Sequence, residues 1–295
     1  MSDRARMYGW VIALALAVAP IGAAAQEPPH PEDMETARGL ALGTGVRASA
    51  TSTSALAYNP AGLAGGRLYH LEAAGMYEPA FGRFIAQSAV ADSMTSKVAA
   101  GLTLRGIFGG DDAEHTGIDG RLALALPLGE AISIGLSGRY MSIDGQGQTT
   151  DGVARPGATG FSMDASLRVS PVTGLVIAGY GYNLIDVGSP LAPLRAGGGI
   201  SYTIANALTI GADVLVDPNT FDRTRVVAGG GVEYLAAGSV PIRLGYLWDQ
   251  GRREHSVTGG LGYVERKVGA DVSIRQQVSG GSDTTVMASL RYFVE

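Results

Sequence analysis

From about Leu68 onward, the chain consists of segments of about ten residues in which apolar side chains alternate with small or polar ones. In one such segment Val268, Ala270, Val272 and Ile274 are apolar, and the residues between them are Gly, Asp and Ser. Successive side chains of a β-strand point to opposite faces, so the pattern predicts strands with one apolar and one water-compatible face. Membrane-spanning strands have this length and alternation, although a soluble sandwich shows it in a few strands.

The first 25 residues have the features of an export signal. An apolar run over 10–21 follows Arg4 and Arg6, and three alanines occupy 23–25. This pattern predicts a secretory signal peptide over residues 1–25, which we exclude from the fold. No other stretch reaches the roughly eighteen apolar residues of a membrane-spanning helix. A membrane protein with this sequence must therefore be a closed barrel, because lipid offers no hydrogen-bond partner to an open sheet edge.

The composition narrows the classes of function. The chain has no cysteine, which excludes disulfides, thiolate chemistry and thiol-ligated metal sites. Its formal net charge of −5 argues against a nucleic-acid partner. Glycine accounts for 44 of 295 residues and clusters inside predicted strands, at 197–199 and 229–231. Because glycine weakens a strand, its abundance there indicates bends or the close approach of another backbone segment.

The predicted connections between strands alternate between long and short, as in barrels that have long external loops and tight periplasmic turns. This rhythm predicts an all-β fold, a transmembrane antiparallel β-barrel of about 14 strands over residues 67–295. The connection predicted at 78–83 is short for an external loop, so a barrel of about twelve strands remains open. Aromatic residues near predicted strand ends suggest girdles at the lipid headgroups; this set is Tyr77, Tyr140, Tyr180, Tyr182, Tyr202, Tyr234, Tyr246, Trp248, Tyr263 and Tyr292.

Residues 26–66 lack the alternation and contain a helix-like piece over 32–42. A wide barrel has a lumen that its own inward Gly, Ala and Ser side chains cannot fill. We therefore predict that residues 26–66 form an N-terminal plug segment. The inward glycines would leave room for the backbone of this plug.

Two stretches of this segment carry a family resemblance: 37–43 (ARGLALG) and 54–64 (SALAYNPAGLA). They resemble the N-terminal plug of the FadL family of outer-membrane transporters for hydrophobic compounds, and that of its PorV-like branch. Later phrases at 182–186, 193–197 and 242–246 are similar to recurrent strand openings of both branches. The resemblance covers nearly all of the chain after residue 25.

The resemblance implies an outer-membrane transporter of a Gram-negative bacterium that passes small hydrophobic compounds by passive, plug-gated diffusion. Its plug motif would be Asn59, Pro60, Ala61 and Gly62. The alternative is a PorV-like barrel that transports nothing and serves as membrane anchor or partner of an envelope or secretion machine. The partners implied are outer-membrane lipid, hydrophobic small molecules and other envelope proteins.

The strand phasing assigns charged residues of both signs to the inner face, where they could pair with the plug or line a wet channel. Facing lipid, an arginine at the midplane would cost roughly 2–4 kcal/mol. The inward set is His70, Glu72, Arg105, Arg121, Asp164, Arg168, Arg195, Asp213, Arg225, Glu233, Arg243, Asp271, Arg275 and Arg291. Hydrophobic cargo would need apolar contacts instead, and the same phasing gives Leu175, Ile177, Val227 and Met287.

The sequence gives little support for a catalytic function. No Gly-x-Ser-x-Gly elbow occurs. His70 and Glu72 could share a strand face as base and orienting group, although a buried polar pair is the commoner arrangement. Asp111, Asp112 and the neighbouring 114–115 offer metal-ligand atoms in one loop, but their spacing matches no calcium loop. We predict no enzymatic activity, no metal and no cofactor.

Overall fold

A computed structural model describes residues 33–109, 114–148, 152–218, 220 and 223–294. The predicted signal peptide, residues 1–25, lies outside the described residues, as do residues 26–32 of the predicted plug. The described part of the chain forms fourteen antiparallel strands that close into one barrel, in which the first strand pairs with the last. Within that part, every helix is too short or too polar to cross a membrane.

Each strand pairs with its neighbours in sequence. The strands are β1 Tyr69–Glu78, β2 Arg83–Asp92, β3 Ala99–Gly109, β4 His115–Pro127, β5 Ile132–Gly145, β6 Ala158–Val172, β7 Leu175–Tyr182, β8 Arg195–Ile204, β9 Leu208–Asp217, β10 Arg225–Ala236, β11 Val240–Asp249, β12 Glu254–Val264, β13 Val268–Ser279 and β14 Thr284–Val294. The all-β barrel prediction is thus confirmed. The count is fourteen because β1 and β2 pair along their whole length, from Tyr69 with Asp92 to Glu78 with Arg83.

The two ends of the barrel differ in their connections. At one end, which we call the turn end, tight turns such as 173–174 and 205–207 join the strands. The opposite end, the loop end, carries the longer connections, including 146–157 and 183–194. Since the number of strands is even, β1 begins and β14 finishes at the turn end.

The outer face of the barrel is apolar. In β4, the side chain of Leu124 is 49% exposed, whereas Ala123 on the opposite face is fully buried. Half-exposed aromatic side chains form one group near each end of the barrel: Tyr77, Phe84, Phe108, Phe161 and Tyr246 toward the loop end, and Tyr202, Tyr234, Tyr263 and Tyr292 toward the turn end. An apolar outer surface between two aromatic girdles is typical of a membrane-spanning barrel.

Tyr180 and Tyr182 do not belong to these girdles. Both are 5% exposed and point into the barrel, in phase with the buried Ala178. Their inward direction fixes the phase of β7. Because side chains alternate along a strand, Leu175 and Ile177 must then face outward.

Residues 33–66 lie inside the barrel, and we call them the luminal segment. This segment contains helix α1 (Ala37–Ala41), helix α2 (Ser52–Tyr58) and a 3₁₀ turn at Pro60–Gly65. α1 contacts β11 to β14, α2 contacts β1 to β4, and the 3₁₀ turn contacts β3 to β6. A segment that touches strands on opposite sides of a closed barrel must lie within it.

Glycines allow the luminal segment to lie directly against the wall. Gly43 has a positive φ of 58°, and a Cβ on Gly229 of β10 would lie 1.8 Å from its carbonyl oxygen. A Cβ on Gly45 would lie 2.6 Å from the Cα of Gly230. The glycine run of β10 is therefore the surface against which the backbone of residues 43–45 packs.

Candidate functional site

Salt bridges between arginines and carboxylates fix the luminal segment to the wall. The Arg38 guanidinium lies 3.0 Å from the Glu233 carboxylate, and Arg275 Nη1 lies 2.7 Å from Glu35 Oε1. Arg195 Nη1 donates to Asp33 Oδ2 at 2.8 Å. Burial disfavours the Asp33 carboxylate, but Arg195, together with Arg139 and Arg47, outweighs burial and lowers the pKa of Asp33 from 3.8 to about 2.

Wall strands are also joined to one another by buried charge pairs. Asp119 accepts hydrogen bonds from Arg105 at 2.8 Å and from Arg139 at 2.6 Å. Asp271 lies between Arg243, at 2.6 Å, and Arg291, at 2.5 Å. Charge-assisted hydrogen bonds of this kind are roughly twice as strong as neutral ones. The Asp119 pairs join β3, β4 and β5, and the Asp271 pairs join β11, β13 and β14.

All fourteen charged residues assigned from the sequence to the inner face lie there in the structure. Ten of them are almost completely buried, and the other four, which are partly exposed, are Arg168, Glu233, Arg275 and Arg291. Glu233, Arg275 and Arg291 form salt bridges, and Arg168 lies beside Gly65. Arg121 donates from Nη1 to the carbonyl oxygens of Leu56 at 2.8 Å and Ala57 at 2.9 Å. Arg121 thus binds the last turn of α2.

His70 and Glu72 belong to a hydroxyl cluster at the start of α2. The two ring nitrogens of His70 lie 2.7 Å from the hydroxyls of Ser52 and Thr53, and Thr53 also donates to Glu72. Both nitrogens of the ring therefore have hydroxyl partners from the luminal segment. The cluster binds the first turn of α2 to β1, which is the buried polar arrangement that the sequence favoured over a catalytic pair.

The predicted plug motif forms the bend between α2 and the 3₁₀ turn. Asn59 is fully buried, and its side-chain amide donates to the carbonyl oxygen of Arg47 at 2.8 Å. Ala61 donates from its backbone N–H to Ser166 on β6 and accepts from Ser133 on β5, both at 2.9 Å. The motif thus links the luminal segment to two wall strands near the turn end.

Two of the four predicted apolar contacts face the wrong way. Ile177 is 45% exposed on the outer face, and Leu175 shares its phase, so neither can contact a molecule in the lumen. Large side chains occur on both faces of β7, so the sequence does not show which face points inward. In the structure, Tyr180 and Tyr182 point inward. Val227 and Met287 do point into the lumen.

The structure contains an apolar cluster that sequence reasoning largely missed. We call it the apolar belt; it consists of Met76, Ile85, Ile107, Met141, Ile143, Met287 and Leu191. The first six are inward residues of β1, β2, β3, β5 and β14, and Leu191 comes from the 183–194 connection. Each strand contributes only one or two members, so the belt leaves no continuous signal in the sequence.

Two cavities open on either side of the luminal segment. The loop-end vestibule has a volume of about 150 Å³ and is lined by Met76 and Ile85 of the apolar belt, among others. The turn-end vestibule has a volume of about 310 Å³ and is lined by His70, Arg38 and Arg291, among others. A void of only about 10 Å³ lies within the luminal packing. The two vestibules share no lining residue.

Arg47 of the luminal segment lies at the floor of the loop-end vestibule and also borders the small void. Its guanidinium carbon lies 5.5 Å from the ring centre of Tyr58, 5.6 Å from that of Tyr180 and 5.8 Å from that of Tyr182. Its backbone N–H donates to Asp213 Oδ2 at 2.7 Å. The two tyrosines assigned from the sequence to the girdle are thus part of the lumen.

The loop considered for metal binding is only partly described. Asp111 and Asp112 lie outside the described residues. Glu114 lies 3.5 Å from Arg155, and His115 is buried at the start of β4. Among the residues that the structure describes, no three His, Asp or Glu side chains are grouped to hold a metal ion.

Similar folds occur among solved structures. They include the Ralstonia pickettii toluene transporter TbuX, with 14% identity over 91% of this chain and 99% of that chain and a TM-score of 0.61. The Pseudomonas putida toluene transporter TodX has 11% identity over 90% of this chain and 98% of that chain, with a TM-score of 0.64. A Pseudomonas aeruginosa FadL homologue has 10% identity over 86% and 96%, with a TM-score of 0.60.

At sequence identities of 10–14%, these similarities show a shared fold and nothing more. The chain has the fold of the FadL-type barrels, in agreement with the resemblance of its N-terminal motifs. No family model matches the sequence, and no curated protein does either.

Proposed function

We propose that this chain is an outer-membrane barrel of a Gram-negative bacterium that lets small apolar compounds diffuse from the loop end to the turn end. The apolar outer face and its two aromatic girdles fit a bilayer. The first residue of β1 and the last residue of β14 lie at the turn end, which is the periplasmic side in barrels of this class. The fold is shared with two proteins described as toluene transporters. The proposed role is non-enzymatic and needs no cofactor.

The apolar belt is the observation that carries the proposal. Charged side chains are frequent on the inner wall, yet Met76, Ile85 and their neighbours form an apolar surface that borders the loop-end vestibule. Pockets for small molecules are usually lined by apolar side chains with a few polar groups. Methionine side chains adapt to ligands of different shape, and three of the seven belt residues are methionines.

The luminal segment would act as the gate. It separates the two vestibules, and the void within its packing is too small for an organic molecule. We therefore propose that passage through the described part of the barrel requires this segment to shift. The bend at Asn59 and Pro60, which follows α2, is where we propose that movement occurs.

Uptake of a radiolabelled aromatic hydrocarbon into cells or proteoliposomes tests the proposal. Met76→Asp should lower protein-dependent uptake about tenfold or more, because a carboxylate in apolar surroundings repels an apolar ligand and draws in water. Met76→Leu keeps the position apolar and should retain most of the uptake. Equal uptake with and without the wild-type protein would overturn the proposal.

The observation that favours the alternative function is the number of charge pairs on the luminal segment. Asp33, Glu35 and Arg38 each pair with a wall residue of opposite charge. A segment held in this way suits a static barrel that anchors or assists other envelope proteins. Purification in mild detergent distinguishes the two functions: stoichiometric recovery of a partner protein together with absent uptake would favour the anchor.

A further inference from the structure

The side chain of Arg47 occupies a box built from three aromatic rings and a carboxylate. Its guanidinium carbon lies within 5.8 Å of the ring centres of Tyr58, Tyr180 and Tyr182. Asp213 places Oδ2 at 3.6 Å from Arg47 Nη1. A cation within about 6 Å of an aromatic ring centre is attracted by the ring face. We call these four residues around Arg47 the tyrosine box.

Arg47 contacts three rings, and its ion pair with a carboxylate is long. Its closest side-chain contact with a carboxylate oxygen is 3.6 Å, compared with 2.6 Å for Arg139 and Asp119. Its guanidinium hydrogen bonds go to the Tyr182 hydroxyl at 3.1 Å and the Thr44 carbonyl at 3.2 Å. A free guanidinium ion could make all of these contacts, because none of them needs the rest of the Arg47 side chain.

The backbone of Arg47 is fixed independently of its side chain. Its N–H donates to Asp213 at 2.7 Å, and its carbonyl accepts from Asn59 at 2.8 Å. The guanidinium can therefore leave the box by rotation of the side chain alone. Its position beside the loop-end vestibule gives it a space to enter.

Tyr180 provides an unused polar atom in the box. Its hydroxyl is buried and finds no hydrogen-bond partner in the described part of the chain. Buried tyrosine hydroxyls usually have a partner. An N–H group of a bound cation could supply one.

The approach to the box from the loop end carries slightly more carboxylates than arginines. The loop-end vestibule is lined by six carboxylates and five arginines, one of which is Arg47 itself. These are Asp33, Glu35, Glu78, Asp249, Glu254 and Asp283, with Arg47, Arg83, Arg105, Arg195 and Arg275. The balance is slightly negative and becomes more so without Arg47.

We propose that the tyrosine box is a binding site for small organic cations of guanidinium type, and that Arg47 is its built-in occupant. The tethered side chain competes at high effective concentration, so an external cation binds weakly to the protein as it stands. Entry of the ligand would move the Arg47 side chain into the loop-end vestibule. The site is distinct from the apolar belt and takes a different class of ligand.

Calorimetric titration of the folded protein in detergent with methylguanidinium tests this proposal. Arg47→Ala should bind at least tenfold more tightly than the wild type, with one site per chain. Arg168→Ala removes an inward arginine that lies outside the box, and it should bind as weakly as the wild type. Arg47→Ala combined with Asp213→Asn should lose most of the gain, because the box no longer carries a negative charge.

The proposal is overturned if Arg47→Ala binds methylguanidinium no more tightly than the wild type, or if Arg168→Ala gains as much. If Arg47→Ala does not fold, Arg47→Gln provides the same comparison. It also removes the guanidinium group, but its side chain is longer than that of alanine. The titration measures binding and not passage. Its result is therefore independent of whether apolar compounds cross the barrel.

Discussion

Two carboxylates on the inner wall each form salt bridges with two arginines. Asp119 bridges Arg105 and Arg139, and Asp271 bridges Arg243 and Arg291. Removing one partner of a buried charge pair is costly because the other charge stays buried without compensation. The loss of Asp119 would remove the nearest carboxylate from two buried guanidinium groups at once.

Asp119→Asn should therefore lower the free energy of unfolding by about 3–5 kcal/mol. Asp144→Asn is the matched control, since Asp144 is exposed at the end of β5 and should change stability by no more than about 0.5 kcal/mol. Urea unfolding in lipid vesicles measures both. Equal stability of the two variants would show that the Asp119 network contributes little.

Charged residues were easier to assign to a face than apolar ones. A charge facing lipid is costly, so phasing alone placed residues such as Arg121 and Asp164 on the inner wall. In β7 either Leu175 or Tyr180 could face lipid without such a cost, because both side chains tolerate lipid. Phasing alone therefore did not decide which face of β7 points outward. Arg47 decides the phase of β7, since it packs against the inward tyrosines. That contact joins residues far apart in sequence and could not be predicted.

At the scale of elements, strands were predictable and the luminal helices were not. The period of two fixes each strand locally, as in β4, where Leu122, Leu124 and Leu126 all face outward. The sequence suggested a helix-like piece over 32–42, whereas α1 covers only Ala37–Ala41 and α2 follows at Ser52–Tyr58. Helices this short are not stable alone, so wall contacts determine where they form.

Leu124→Arg tests the lipid face of β4. Leu124 is half-exposed on the outer face, three residues from the turn end of β4. An arginine there should lower folding stability by up to about 2–4 kcal/mol, the cost at the bilayer midplane. Leu128→Arg places the same charge just beyond the strand, near the membrane interface, where the cost falls to about 0–1 kcal/mol. Folding into lipid vesicles at increasing urea concentration compares them. A larger effect at Leu128 would mean that the position of the strand in the bilayer is wrong.

At the scale of the whole molecule, the barrel and the luminal segment fit together through backbone contacts. The glycine run of β10 has no side chains, and this is what lets residues 43–45 lie against the wall. The sequence indicated such an approach through its glycine clusters, but it did not show which segment approaches. We propose that this fit keeps the lumen closed.

Gly229→Ala should disturb this fit, because the new Cβ would lie 1.8 Å from the Gly43 carbonyl oxygen. We expect the luminal segment to shift and the ion conductance in planar bilayers to rise severalfold. Gly179→Ala is the control, since a Cβ there meets no atom within 4 Å, and its conductance should match the wild type. Identical conductance of the two variants would contradict the proposed closure.

The path of the luminal segment constrains how the barrel is assembled. Asp33 lies at the loop end, whereas residue 66 leads into β1 at the turn end, so the segment runs through the lumen before the first strand begins. If β1 and β14 paired first, the preceding residues would have to thread through a closed ring. We expect instead that the sheet curls around a segment already in place, and that the seam between β1 and β14 forms last.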